Sequence, residues 1–337
     1  MMVGKIPENV LKRSVLREIK NNNKDVITGA SFGEDCAVLN LSDYGPTDDK
    51  YFETGSAAAA GEGLTESKIA LVKACNNLYA GGFIPEAATL SIALSESFEE
   101  ENLKLLMREL NGTAKKEGIT IVGGHTFVSR NVSNGCIVNV NALGKRAAGF
   151  EKEPIKAGYK IIASKWIGIE GSYILTSEYK SEIEERFRKD FTDTLLKNIE
   201  YIGVGNEARE AIRLKAVAMK DVSEHGIFGA LYELAERAKC GVEVDLKAIP
   251  VRQDVIEIGN FFDINPYEMK SSGMLLMVAK DGEAFVEGLK NSGIEAAVIG
   301  NFTENNDKAV INGEEKRFLE KIKQDAIYKI KTVRKGD

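Results

Sequence analysis

The chain has 337 residues, 43% of them hydrophobic and 28% charged, and a formal net charge of −6. That length suffices for two domains with cores of their own, and the acidic balance argues against nucleic acid or an anionic membrane surface as partner, since neither would be attracted electrostatically. Cys36, Cys75, Cys136 and Cys240 are scattered without a C-x-x-C pair, which argues against a cysteine zinc site or a disulfide framework and fits reduced thiols in the cytoplasm.

In chain order, "PENVLKRSVLREIK" places Val10, Leu11, Val15, Leu16 and Ile19 at near-helical spacing before "NNNKD" breaks the pattern. The first ten residues lack the apolar centre of a signal peptide, and no apolar run approaches the ~20 residues of a membrane span. A loop with adjacent carboxylates, "GASFGEDCAVL", leads into a short strand. The small-sided tract "GSAAAAGEGLT" reads as a loop, and "ESKIALVKACNNLYAGG" as a helix stopped by Gly81 and Gly82.

"EAATLSIAL" reads as a strand. Ser97 and Glu100 then have the spacing of a capping box for a helix whose apolar stripe is Leu103, Leu106, Met107, Leu110 and Ala114. A strand over 119–122 is expected to stop at Gly123 and Gly124. In "IVNVNALGK", Val138, Val140 and Ala142 alternate with Asn139 and Asn141, the signature of a half-buried strand. "GFEKEPIKAGYK" interrupts the pattern and marks a boundary. Beyond it come the strand "KIIAS", a polar helical stretch over 180–215, a helix with Ile227, Leu231, Leu234 and Ala238 inward, and the strands "VEVDL", "GMLLMVAK" and "EAAVIGNF", with a helix over 281–292. Each half mixes strands and helices, an α/β or α+β pattern.

Polar residues gather where backbone is thin in "GEDCAV", "NNLYAGG", "GGHTF" and "KDVSEHG". Phosphates need amides that can be approached closely, and their magnesium needs oxygen ligands such as Glu34, Asp35 or Asp221. No Walker A loop is present. Asp221 and Ser223 read equally well as N-caps of the helix that follows, and the Gly123–Gly124 pair as a turn ending a strand.

Taken in this order, these stretches resemble the aminoimidazole ribonucleotide (AIR) synthase superfamily, in its HypE-type hydrogenase maturation branch. "GKIP" and "GASFGEDCAVL" are similar to the branch's opening, "ACNNLYAGGFIPEAATLSIAL" to its N-D-[LI]-x-x-x-G-[AG]-x-P element, and "IVGGHTFV" to its V-G-G-[DH]-T strand. "MKDVSEHGIFGALYELAE" and "SSGMLLMVA" match two later segments, so the resemblance covers roughly residues 4–302. It implies a PurM-like α/β fold with an N-terminal domain over 1–149, a C-terminal domain over 150–312 and a helical tail over 313–337. It also implies a homodimer whose N-terminal domains pair into a central β-barrel.

ATP and Mg2+ would lie in a cleft, with Lys5, Asp35, Asn77, Gly123, Gly124 and Thr126 around the nucleotide. Asp35 and Asp221 would hold the metal, and Asp35, His125 and Asp221 would attend the reacting atoms. The chemistry implied is transfer of the γ-phosphoryl group to an oxygen of a small-molecule, carbamoyl-type substrate. Another maturation protein is the implied partner.

The chain departs from the branch at four places. Thr54-Gly55-Ser56 stands for T-D-[PS], Asn77 for an aspartate, His125 for the aspartate of G-G-D-T, and His225 for a glycine. Magnesium prefers hard oxygen ligands, so these changes lower the expected metal affinity. The chain also ends "VRKGD" without the branch's terminal cysteine. Two alternatives therefore stand beside the enzyme: a catalytically silent nucleotide-binding partner in a maturation complex, and a transition-metal site built from His125, His225 and Asp35 or Asp221.

Overall fold

The computed structural model describes residues 8–12, 16, 26–28, 31–32, 37–40 and 51–330. In chain order the elements are α1 (Glu8–Leu11), β1 (Val26–Thr28), β2 (Ala37–Asn40), β3 (Tyr51–Gly61), α2 (Leu64–Gly81), β4 (Phe83–Leu94), α3 (Glu100–Glu117), β5 (Thr120–Val128) and β6 (Cys136–Arg146). There follow β7 (Lys160–Ser164), α4 (Ile169–Glu178), α5 (Lys180–Glu184), α6 (Lys189–Leu196), α7 (Gly205–Arg213), β8 (Ala218–Val222), α8 (Gly226–Ala238) and β9 (Gly241–Asp245). The last are α9 (Gln253–Phe261), β10 (Met274–Ala279), α10 (Gly282–Asn291), β11 (Ala296–Thr303), β12 (Lys308–Asn312) and β13 (Glu315–Phe318). Two compact units divide the chain: one takes Lys20–Ala30 and Glu34–Phe150, the other Met1–Ile19, Ser31–Gly33 and Glu151–Asp337.

The first unit is a six-stranded sheet in the order β1-β2-β3-β6-β4-β5, with β4 and β5 parallel and the other pairs antiparallel. One face is covered by α2, on which α3 packs. Ile69, Leu71, Val72, Cys75 and Leu78 of α2 are buried with Leu90, Ile92, Val138, Val140 and Ala142 of the sheet. Leu106, Leu110 and Ala114 of α3 are buried as its stripe demands, while Leu103 and Met107 are half-buried.

Three local expectations change. The alanine tract is strand, not loop. It completes the eleven-residue β3, and its small side chains let α2 lie close on the sheet. Ser97 does not cap α3, because its hydroxyl is bonded to that of Ser95 and the N-cap position is Glu99. The capping contact is at α2 instead, where the Gly63 N–H donates to Glu66 Oε2 at 2.9 Å. Gly82 ends α2 in the left-handed region at φ 87°, and a side chain there would collide with the Phe150 ring.

The second unit is a seven-stranded sheet in the order β13-β12-β9-β11-β7-β10-β8, antiparallel except for β12 beside β9. Its main core gathers Ile161, Val222, Ile227, Leu231, Leu234, Val244, Leu276 and Phe302. A second core joins α4, α5, α6 and α9 through Leu175, Ile183, Leu195, Val255, Ile258 and Met269, and takes in Ala326 and Ile327 from near the C-terminus. The expected helical tail over 313–337 is, across its described part, the strand β13 and a single 3-10 turn, Ala326–Lys329. Among the described residues, no helix is long and apolar enough to cross a membrane.

Candidate functional site

In the first unit, β5 does not stop at its glycines; it runs through them to Val128. Pairing with β4 keeps the backbone extended, and His125 is therefore a strand residue. The register sets Gly123 opposite Thr89 and His125 opposite Ser91, and the next strand sets Asn141 opposite Thr89 and Asn139 opposite Ser91. With Ser56 and Ala58 of β3 these residues form two rows on the sheet face not covered by α2. His125 packs on Phe127 two residues along, with ring centroids 5.4 Å apart. Thr126, the intervening residue, projects to the opposite face and is exposed.

The two glycines differ. At Gly123 nothing lies within 4 Å of where a Cβ would sit, so this stretch of backbone is open to close approach. At Gly124, with φ 154°, a Cβ would run into the Leu90 carbonyl. Its glycine is explained by the neighbouring strand alone.

Gly55 and Asn77, two of the departures from the family pattern, are in contact. A Cβ at Gly55 would lie 2.8 Å from the Ala74 carbonyl oxygen and 3.2 Å from Asn77 Cβ. The Asn77 amide donates to the Ser56 carbonyl at 3.0 Å, and the Ser56 hydroxyl donates to Asn141 Oδ1 at 2.6 Å. A carboxylate at 77 would have no hydrogen to give that carbonyl. The pair ties β3 to α2 at the two positions where the family pattern carries carboxylates.

In the second unit, Asp221 is buried in β8 opposite Leu275, and neither it nor Ser223 caps α8. The Ser223 hydroxyl instead accepts the neighbouring Glu224 N–H. His225 occupies the N-cap position at φ 67°, the conformation glycine would adopt without strain. Its N–H is received by Asp325, at 2.6 Å across a hundred residues of chain. Room for the imidazole comes from Gly229, where a Cβ would lie 2.5 Å from His225 Cβ.

Asp325 belongs to a buried polar cluster that sequence reasoning missed. Its carboxylate also accepts the N–H of Lys270 at 3.3 Å and that of Ile327 at 3.2 Å. Burial raises its pKa to about 6, against the opposing pull of the amides and of Lys270. The Lys270 ammonium lies 3.3 Å from Glu224. Burial alone would lower the Lys270 pKa, but Glu170 and Glu224 outweigh it and hold the group charged. Ser272 donates to Glu170 at 2.5 Å. The signal was present at one member only: Asp325 precedes an apolar pair as an N-cap would.

Lys5 and Asp35, together with Glu34, lie outside the described residues. Among the described residues, no group of three or more His, Cys, Asp or Glu side chains is arranged to hold a metal ion, so the transition-metal alternative has no support there.

The profile of the AIR synthase related protein N-terminal domain matches residues 33–145, and that of the family's C-terminal domain matches residues 156–312. A putative hydrogenase expression/formation protein of Methanocaldococcus jannaschii is 26% identical over 321 residues, 91% of each chain. A chain of the HypE-HypF complex superposes with a TM-score of 0.71 at 18% identity, over 85% of this chain and 93% of that one. The hydrogenase maturation protein HypE in complex with ATP gives 0.67 at 18% identity, over 95% and 96%. These structural likenesses show the fold, a two-domain PurM-like α/β architecture.

Proposed function

The chain belongs to the AIR synthase related protein family, and from that membership we propose that it is a HypE-like, ATP-binding protein of hydrogenase maturation. The observation that carries the reading is the uncovered backbone at Gly123, within a strand that matches the family's phosphate-bordering segment. Gly123, Gly124, Thr126 and Asn77, with Lys5 and Asp35, are the proposed nucleotide contacts, and Asp35, His125 and Asp221 the proposed catalytic residues. The substrate class is a small molecule of carbamoyl type. Its oxygen attacks the γ-phosphorus, the bond from that phosphorus to the bridging oxygen breaks, and ADP leaves.

Asp35 and Asp221 are the proposed magnesium ligands, of which Asp35 lies outside the described residues. Gly55 and Asn77 are used in packing and in a backbone hydrogen bond, so no step is assigned to the cation. That same contact favours a second reading, in which the protein binds nucleotide and acts as a silent partner to another maturation protein. Cytoplasmic location and assembly into a homodimer belong to both readings. The homodimer is supported by β5, which among the described residues pairs on one side only and exposes Val122, Phe127 and Val128.

Thermal unfolding with and without ATP tests the proposal, because a ligand that binds only the folded state stabilises it by mass action. A rise in Tm with ATP, together with phosphate release lost in Asp35→Asn, supports the enzyme. A rise without release supports the silent partner. No shift at millimolar ATP overturns both.

A further inference from the structure

Beneath the irregular segment 319–324, which joins β13 to the anchored Asp325, lies a cavity of about 720 Å³. One wall is aromatic. Phe228, from the first turn of α8, stacks on Tyr267, from the 3-10 turn Pro266–Glu268, with centroids 5.3 Å apart and planes 13° from parallel. Leu246 and Val310 extend that apolar surface.

The opposite character comes from Arg317 of β13 and from Lys321 and Lys323 of the overlying segment, joined by Lys329. Glu268 and Glu320 line the same cavity, so the four cations do not make it a basic surface as a whole. Arg317 pairs with Glu315, Lys321 with Glu8 and Lys329 with Glu268. Lys323 is exposed and has no ion pair among the described residues, and the Asn312 amide on the same cavity makes no hydrogen bond among them.

We propose that this cavity binds a flat aromatic ring carrying an anionic group, with the ring against the Phe228–Tyr267 pair and the anion at Lys323. The volume falls within the ~300–1,000 Å³ of small-molecule sites, which combine apolar walls with a few placed polar groups. A conjugated ring gains most from such a wall, because stacked rings exclude water while keeping an offset geometry. The Lys323 ammonium selects among such rings for those that bring a negative charge. Among the described residues, Leu319 N–H donates to Lys308 O at 2.7 Å, and Lys321 pairs with Glu8, so the segment is held over the cavity.

Flavin mononucleotide and riboflavin separate the two requirements, since they share a ring and differ by a phosphate. Flavin fluorescence anisotropy with the full chain is expected to show saturable binding of the mononucleotide and about tenfold weaker binding of riboflavin. Lys323→Glu should weaken the mononucleotide by about tenfold and leave riboflavin unchanged. Tyr267→Ala should weaken both. The Lys323 substitution is on an exposed side chain, so the test survives if the Tyr267 variant fails to fold. Lys323→Glu should leave the ATP-induced rise in Tm unchanged, which separates this cavity from the nucleotide site proposed above. Absence of saturable binding at millimolar mononucleotide, equal affinity in Lys323→Glu, or loss of the ATP-induced rise in Tm in that variant alone would each overturn the assignment.

Discussion

Gly55 and Asn77 meet where β3 comes closest to α2, the first by having no side chain and the second by donating its amide to the Ser56 carbonyl. Two positions 22 residues apart, each lacking a carboxylate of the family pattern, are thus a single contact. Gly55→Ala is expected to lower the unfolding free energy by ~1–3 kcal/mol, as overpacking does. Asn77→Asp should cost ~1 kcal/mol by removing the hydrogen bond. Urea unfolding measures both, and unchanged midpoints would mean that β3 and α2 are not held at this spacing.

The glycine pair of β5 should separate in the same measurement. Gly124→Ala drives a methyl group into the Leu90 carbonyl and should destabilise by ~3 kcal/mol or more. Gly123→Ala enters open space and should stay within ~0.5 kcal/mol, yet weaken ATP in the thermal-shift assay. If the first variant is as stable as the second, the account of Gly124 is wrong.

Much of the fold was legible in the chain because its signals are local. The alternation of Val138, Val140 and Ala142 with two asparagines is reproduced residue by residue in β6, and the stripe on α3 faces its core. What escaped depends on distant partners. The alanine tract has no local mark of a strand, since only the neighbouring β6 and α2 make it one. The Gly-Gly pair reads as a stop unless β4 is known to continue beside it. Asp325 finds His225 across a hundred residues, a span that no periodicity reports. Of the candidate site, the segments were recognisable by their order. The use of Asn77 and Gly55 as packing depends on how closely β3 approaches α2, which no local signal reports.

His225 and Gly229 should behave as a coupled pair. Gly229→Ala places a methyl group 2.5 Å from His225 Cβ and is expected to cost ~1–3 kcal/mol. His225→Gly relieves a left-handed backbone at φ 67° while opening a small void. The double variant should recover at least ~1 kcal/mol of the loss, the interaction a double-mutant cycle reads in urea. Strict additivity would show that the two side-chain positions do not touch.

Asp325 predicts a pH dependence with a definite sign. Its folded pKa is raised to about 6 from 3.8, so the stability it contributes is fully present below the lower value and is lost as the pH rises through the higher one. Asp325→Asn abolishes this titration. The wild type should therefore lose on the order of 3 kcal/mol relative to the variant between about pH 4 and about pH 7, at ~1.4 kcal/mol per unit. Urea unfolding at the two pH values gives the difference. A constant gap would mean that the amides of His225, Lys270 and Ile327 keep the carboxylate ionised throughout.

The ion pair between Glu8 and Lys321 brings together residues 313 positions apart in the chain. A nascent chain emerges in order, and compact units close as soon as their parts are available. The sheet of β1 to β6 has everything it needs once Phe150 has left the ribosome. Glu8 must wait for more than three hundred further residues before its lysine exists. That tie therefore closes only after both stretches have been made.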